Sequence, residues 1–180
     1  AYYPLDGNGI NSISGIPSAI VNGSSGAVNR FSVENGALGF DGKGDYLSLG
    51  HSELFTFSEF AISAWAKTDL LGGNFQTVLV HSPCGNQAPG GAGPAWKLWF
   101  DGKNKWTFRM WTEATSWQDI LSDEYIDTNW VHLVGIYDGS IQKLYKNGRL
   151  VLERESILEY DKQDSVYVGA SRESPDCSLA

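Results

Sequence analysis

The stretch Trp130–Leu150, WVHLVGIYDGSIQKLYKNGRL, limits what this chain can fold into more than any other. Val131, Leu133, Gly135 and Tyr137 alternate with His132, Val134 and Ile136, the period of two that gives a strand two different faces. Asp138-Gly139-Ser140 breaks the run with turn chemistry, because Gly accepts positive φ and the short Asp side chain can bond the backbone. Ile141–Lys146 runs back, and Asn147-Gly148 closes a second hairpin, the strongest short-range hairpin signal a sequence carries. Three strands joined by two tight turns cannot bury an apolar face alone. They predict an antiparallel sheet around them.

The rest of the chain supplies it. Phe60–Lys67, FAISAWAK, puts Phe60, Ile62, Ala64 and Ala66 on one face and Ala61, Ser63, Trp65 and Lys67 on the other. Ala95–Trp111 reads as an aromatic hairpin with a loop at Asp101–Lys105. Its register pairs Phe100 with Trp106, Leu98 with Phe108 and Trp96 with Met110. All six then share one face, and a one-residue slip would mix the faces. Lys97, Trp99, Thr107, Arg109 and Trp111 fall on the other. Shorter strands are expected at Ala1–Leu5, Leu38–Phe40 paired with Tyr46–Leu49, Thr77–His81, Ile120-Leu121, Tyr125-Ile126 and Ser165–Gly169. Asn22-Gly23-Ser24 reads as a turn, although it is formally a glycosylation sequon. No amphipathic helix is evident. The pattern is all-β: an antiparallel two-sheet β-sandwich of about 10–12 strands, residues 1–180 forming a single domain.

Composition narrows the functions. The net charge of −8 argues against nucleic acid, which requires a basic patch. No apolar window is long enough to cross a membrane as a helix, so no membrane insertion is expected. No signal peptide opens the sequence; Ala1-Tyr2-Tyr3-Pro4 already reads as folded protein, and any leader lies outside this sequence. Cys84 and Cys177 sit among Gly, Pro, Ser and Asn, as loop residues do. One disulfide between them is the favoured reading, worth about 4–5 kcal/mol by chain entropy; two thiols in a reducing compartment is the alternative. Nothing resembles the paired spacing of a zinc site.

Phe40–Gly50 (FDGKGDYLSLG), Phe55–Lys67 (FTFSEFAISAWAK) and Asn129–Val151 (NWVHLVGIYDGSIQKLYKNGRLV), taken in order, resemble the laminin-G-like jelly-roll family, related to pentraxins and other concanavalin A-like lectins. Tyr3–Gly9 and Ser165–Ser171 fall where that family has its first and a late strand. The resemblance implies two antiparallel sheets packed face to face, with binding at loops or on an exposed sheet face. It also implies a final strand after Ser165–Ser171. The sequence instead closes on Cys177-Ser178-Leu179-Ala180, so that strand is expected from a longer chain or from a second chain or segment.

Catalysis is not expected. Glycosidases need two carboxylates flanking the bond, and the Glu-x-Asp-x-x-Glu strand pattern of hydrolases of this fold class is missing. Asp123, Glu124 and Asp127 lie in turn-like sequence; Glu153 and Glu155 alternate without a third acid. His51, His81 and His132 are far apart, and His132 is read as structural.

Binding fits the residues better. Sugars present apolar C–H faces and hydroxyls, so their sites combine aromatic rings with orienting polar groups. Trp99 and Trp111, flanked by Lys97 and Arg109, have that chemistry, with Trp117 in the following turn to complete it. The alternative is that this face packs under a loop as ordinary core. Trp65 and Trp130 are assigned to packing. The pentraxin resemblance implies a second site where the loops Pro83–Pro94 and Arg172–Ala180 meet. That would join Cys84 to Cys177 and gather Asn86, Gln87, Glu173 and Asp176, oxygen donors suited to Ca²⁺. A structural calcium of this fold class would use Asp6, Asp41 or Asp45, each equally a turn-forming Asp beside Gly. The expectation is a non-catalytic, extracellular or cell-surface recognition module. Its partner would be a glycan or cell-surface glycoprotein, with or without calcium. A protein-interaction module without sugar affinity, an accessory domain of a secreted glycan-processing enzyme and a structural spacer are the competing readings.

Overall fold

The computed structural model describes residues 1–51, 55–69, 76–83, 95–101, 105–112, 116–121, 128–158 and 164–170. Thirteen strands are found among them: β1 (Ile20–Asn22), β2 (Ser25–Ala27), β3 (Ala37–Gly39), β4 (Tyr46–His51), β5 (Phe60–Ala66), β6 (Gln76–Pro83), β7 (Trp96–Asp101), β8 (Lys105–Thr112), β9 (Ser116–Leu121), β10 (Val131–Tyr137), β11 (Ile141–Lys146), β12 (Arg149–Glu155) and β13 (Asp164–Val168). They form a seven-stranded sheet in the order β1-β4-β13-β6-β7-β8-β9, a four-stranded sheet β12-β11-β10-β5 and the small ribbon β2-β3. All pairings are antiparallel. This is the expected β-sandwich. The strand count exceeds the expected ten to twelve; β1 and β2 are additional short strands in the Ser/Gly-rich N-terminal segment, whereas β3 falls on the strand expected at Leu38–Phe40. No α-helix occurs among the described residues, and none long and apolar enough to cross a membrane.

The two hairpins of the organising stretch form as their turn residues dictate. Asp138 Oδ1 accepts the amides of Ser140 (3.2 Å) and Ile141 (2.8 Å) while Gly139 takes φ 93°. Asn147 and Gly148 both adopt positive φ, 51° and 79°, as a tight two-residue turn requires. The Asn147 side chain also accepts the His132 amide at 2.9 Å, tying this turn to the start of β10.

The core lies between the two large sheets. Trp96, Leu98 and Phe100 of β7 and Trp106, Phe108 and Met110 of β8 meet Val131, Leu133 and Leu144 from β10 and β11. Gly135 lets the sheets close: a Cβ there would stand 3.0 Å from the Phe108 ring. A buried polar bridge spans the layers at one end. Gln142, fully buried, donates to the carbonyls of Phe108 (2.7 Å) and Gln118 (3.3 Å) and accepts from Ser156 Oγ (2.8 Å). Gln118 in turn exchanges two bonds with the Ile157 backbone, at 2.9 and 3.2 Å. Burying these amides is tolerable only because each is satisfied.

Two local expectations are corrected. Ala1–Leu5 is not a strand; Leu5 sits at φ 59° and the segment is held by Tyr2 and Tyr3 contacts to residues 11–17. Leu38–Phe40 and Tyr46–Leu49 do not pair with each other. β3 pairs with β2, whereas β4 pairs with β1 and β13. The turn between them, Asp41–Asp45, redirects the chain from the ribbon to the large sheet instead of closing a hairpin.

Candidate functional site

The outer face of the seven-stranded sheet carries the site. Alternation turns Trp96, Leu98 and Phe100 inward, so Lys97 and Trp99 take the other face; on β8 the same logic puts Thr107, Arg109 and Trp111 on that face. Register then aligns these residues across strands. One row runs Tyr167–Val80–Lys97–Arg109–Asp119 over β13, β6, β7, β8 and β9. The next runs Thr77–Trp99–Thr107–Leu121. Trp111 lies beyond the charged row, opposite Trp117 in the backbone register of β9.

Trp99 is the floor of this face rather than an open platform: its side chain is 6% exposed. Two cations stand over its ring, Lys97 Nζ and Arg109 Cζ, each 4.5 Å from the centroid. A guanidinium or ammonium in that position is attracted by the ring quadrupole, more strongly where water is excluded. Arg109 is fixed from its other side by Asp119 in a fork–fork pair, Nε to Oδ1 at 2.5 Å and Nη2 to Oδ2 at 2.6 Å. Lys97 has no such anion: it makes no ion pair or side-chain hydrogen bond among the described residues. Burial, and secondarily the charge of Arg109, pull its ammonium down to about 8. Thr107 Oγ1, buried beside Trp99, has no hydrogen-bond partner among the described residues. Trp111 is half-buried.

Asp119 was not singled out by sequence. It is the partner that orients Arg109, and its signal was there: extending the hairpin through β8 and β9 places it opposite Arg109, the opposite-charge cross-strand pair a sheet favours. Of the remaining expected ligand residues, Trp117 lies on β9 and not in a turn, because β8 and β9 pair as far as Thr112 and Ser116, and only its backbone is described. Asn86, Gln87, Glu173, Asp176, Cys84 and Cys177 lie outside the described residues. Asp123, Glu124 and Asp127 do as well.

Asp6, Asp41 and Asp45 are placed as turn residues. Asp45 Oδ2 accepts the Asp41 amide at 2.9 Å and Asp41 Oδ1 accepts the Lys43 amide at 2.7 Å. Gly23 must lack a side chain because a Cβ would lie 2.1 Å from Asp45 Oδ1. Asp6 is exposed, 35 residues before Asp41 in a separate bend. Among the described residues no three His, Cys, Asp or Glu side chains gather as a metal would need.

The outer face of the four-stranded sheet holds a second aromatic group. Trp65, assigned to packing from its strand, is 44% exposed, because it alternates with the inward Ala64 and Ala66. It stacks on its cross-strand neighbour His132 at 5.0 Å, whose Nε2 lies 2.8 Å from Ser63 Oγ. Arg30 sits over both Trp65 (4.5 Å) and Phe31 (4.2 Å). An open depression of about 400 Å³ near Thr56, Phe57, Tyr137 and Leu158 contains none of the expected ligand residues. Its phenol, Tyr137, is spent on the carbonyls of Gly139 and Ser156.

Solved structures with this architecture include domain 4 of AbnA, an extracellular arabinanase of Geobacillus stearothermophilus in complex with arabinotriose. It is 15% identical with a TM-score of 0.61, over 98% of this chain and 96% of that one. The binding domain of Paraclostridial Mosquitocidal Protein 1 is 17% identical, TM-score 0.58, over 97% of this chain and 52% of that one. The carbohydrate-binding module CBM40 of Ruminococcus gnavus IT-sialidase is 13% identical, TM-score 0.53, over 65% and 66%. The chain thus spans about half of the second structure and just under two thirds of the third. At these identities the likeness is one of fold. No curated protein matches the chain significantly. The model of the concanavalin A-like lectin/glucanases superfamily, in its laminin-G form, matches residues 41–179, so the strands that build this face lie within the match. The chain belongs to that superfamily.

Proposed function

We propose that this chain is a carbohydrate-binding module whose glycan lies along the outer face of the seven-stranded sheet, over Lys97, Arg109 and Trp111. The carrying observation is the aligned row in which Lys97 and Arg109 stand over the buried ring of Trp99, with Asp119 locking the guanidinium. A surface built this way offers fixed hydrogen-bond donors beside an indole, the combination that orients sugar hydroxyls against an apolar C–H face. Support comes from neighbours of the same fold: the sialidase module has been solved with sialyllactose and the arabinanase domain with arabinotriose. The module binds and does not cleave. It acts outside the cell, in adhesion or as the accessory domain of a glycan-processing enzyme.

A glycan array with the labelled domain tests this. Expected are hits that Trp111→Ala weakens at least tenfold. Running the array in millimolar Ca²⁺ and again in EDTA tests the calcium expectation. Signal lost in EDTA ties recognition to metal-held oxygen donors, and signal retained ties it to the Lys97–Arg109 row. Silence in both, from folded protein, would sink the glycan reading and promote a protein partner. That second reading draws on the exposed apolar side chains of the N-terminal third, among them Tyr2, Ile10, Ile20, Phe31 and Val33.

A further inference from the structure

We infer that the glycan taken by this face is acidic, with Lys97 held as the counter-ion for a carboxylate or sulfate on the sugar. The inference rests on the glycan reading above and narrows its ligand class.

The row contains Lys97, Arg109 and Asp119, two cations and one anion, on a chain whose overall charge is −8. Asp119 is committed to Arg109 through two hydrogen bonds. Among the described residues, no anion is left to face Lys97.

The elements packed against Lys97 offer it no anion among the described residues. β6 presents Val80 and Thr77, β8 presents Arg109 and Thr107, and β7 itself presents Trp99. None of these is acidic, and the charge directly across the strand, on Arg109, is repulsive. A partly buried ammonium between an arginine and an indole is a costly arrangement for a fold to keep. Structural cations on this protein look different: Lys67 meets Asp69 at 3.1 Å and Lys143 meets Asp138 at 3.4 Å. Lys97, partly buried, has no such anion among the described residues.

An anionic sugar substituent removes the anomaly. Its oxygens would meet the Lys97 ammonium, a charge-assisted contact stronger than a neutral one. The buried Thr107 hydroxyl adds an orienting group in the adjacent row. The lowered proton affinity of Lys97 has a consequence. An anion favours the charged amine, so binding takes up a proton near pH 8, and affinity falls as pH rises past that point.

The test uses matched ligand pairs in calorimetric titration at pH 7 and pH 9. The pairs are oligogalacturonate against its methyl ester, sialyllactose against lactose, and a sulfated disaccharide against its desulfated form. Expected is tenfold or greater preference for at least one acidic member, shrinking several-fold at pH 9. Lys97→Met should abolish the preference and Lys97→Arg should keep it without its pH dependence, both checked for folding by near-ultraviolet circular dichroism. The pair that responds distinguishes uronate, sialate and sulfate as the source of the anion. Equal binding of acidic and neutral members, or a preference that survives Lys97→Met, would overturn the inference while leaving the glycan reading intact. Failure of all glycans, neutral ones included, would overturn both.

Discussion

Two tryptophans on opposite outer faces of the sandwich each carry a cation, and they are in different physical situations. Trp99 lies in the middle of the large sheet, 6% exposed, beneath Lys97 and Arg109 from its own and the adjacent strand. Trp65 lies on β5 of the small sheet, 44% exposed, with Arg30 arriving from a distant N-terminal loop. A cation over an indole is worth about 0.5–1 kcal/mol in water and about 2 kcal/mol or more when desolvated. At Trp65 the contact holds a loop against a sheet, with the charge still hydrated. At Trp99 the charges are drawn out of water, one balanced by Asp119 and one without an anion among the described residues. The contrast separates a fastening from a site.

The largest effect should come from removing the two rings. Trp99→Ala leaves a void under two charged side chains and should destabilise by about 3–5 kcal/mol. Trp65→Ala, already nearly half in water, should cost about 1–1.5 kcal/mol. Urea unfolding of both variants measures the difference directly. Equal losses would mean that the two faces are not built differently after all.

Next in size is the Arg109–Asp119 pair. Its side chains are 19% and 26% exposed, between the surface and buried regimes, so Asp119→Ala should cost about 1–3 kcal/mol. Most of that loss should vanish in the Arg109→Met background, a coupling that a double-mutant cycle reads. Additive losses would show that Asp119 does not hold Arg109.

Lys97 predicts a dependence on pH with a definite sign. Its folded-state value, about 8, lies below the 10.5 of the free side chain. Between these limits the unfolded chain binds more protons than the folded one, so stability rises with pH. The gain from pH 7.5 to 9.5 should be about 1–2 kcal/mol and should disappear in Lys97→Met. Tyr3 and Tyr137, raised by burial, oppose it only above about pH 10, which sets the upper end of the useful window. A flat profile would mean that Lys97 is as hydrated as any surface lysine.

How much of this was legible in the sequence follows the range of the interactions. The β7–β8 register could be read from alternation and loop length alone, because Trp96, Leu98, Phe100, Trp106, Phe108 and Met110 all had to share one face. The same alternation placed Lys97, Trp99, Arg109 and Trp111 together, so the face of the site was visible before any coordinate. It could not say that Trp99 would be buried, since what covers a sheet face comes from elsewhere in the chain. Trp65 was misassigned although its own alternation with Ala64 and Ala66 already turned it outward. The Gln142 and Gln118 bridge gave no signal at all: a glutamine in a strand reads as solvent-facing until its partners, 14 to 39 residues away, are known. Arg30 likewise meets Trp65 only through tertiary structure.

The smallest effect belongs to that last contact and tests the comparison from its weak side. The loop that carries Arg30 does not depend on it for shape, because Asn29 Oδ1 accepts the amides of Phe31 (2.8 Å) and Val33 (3.1 Å). Arg30→Ala should therefore remove the stack without unfolding the loop, costing about 0.5–1 kcal/mol. Trp65 should become more accessible to acrylamide, a change in quenching large enough to see against the more buried tryptophans. Glycan affinity should be unmoved, because Trp65 and the Lys97 row lie on opposite faces of the sandwich. A loss of affinity would show that the small sheet contributes to recognition, and Trp65 with Phe31 would then count as part of the binding surface.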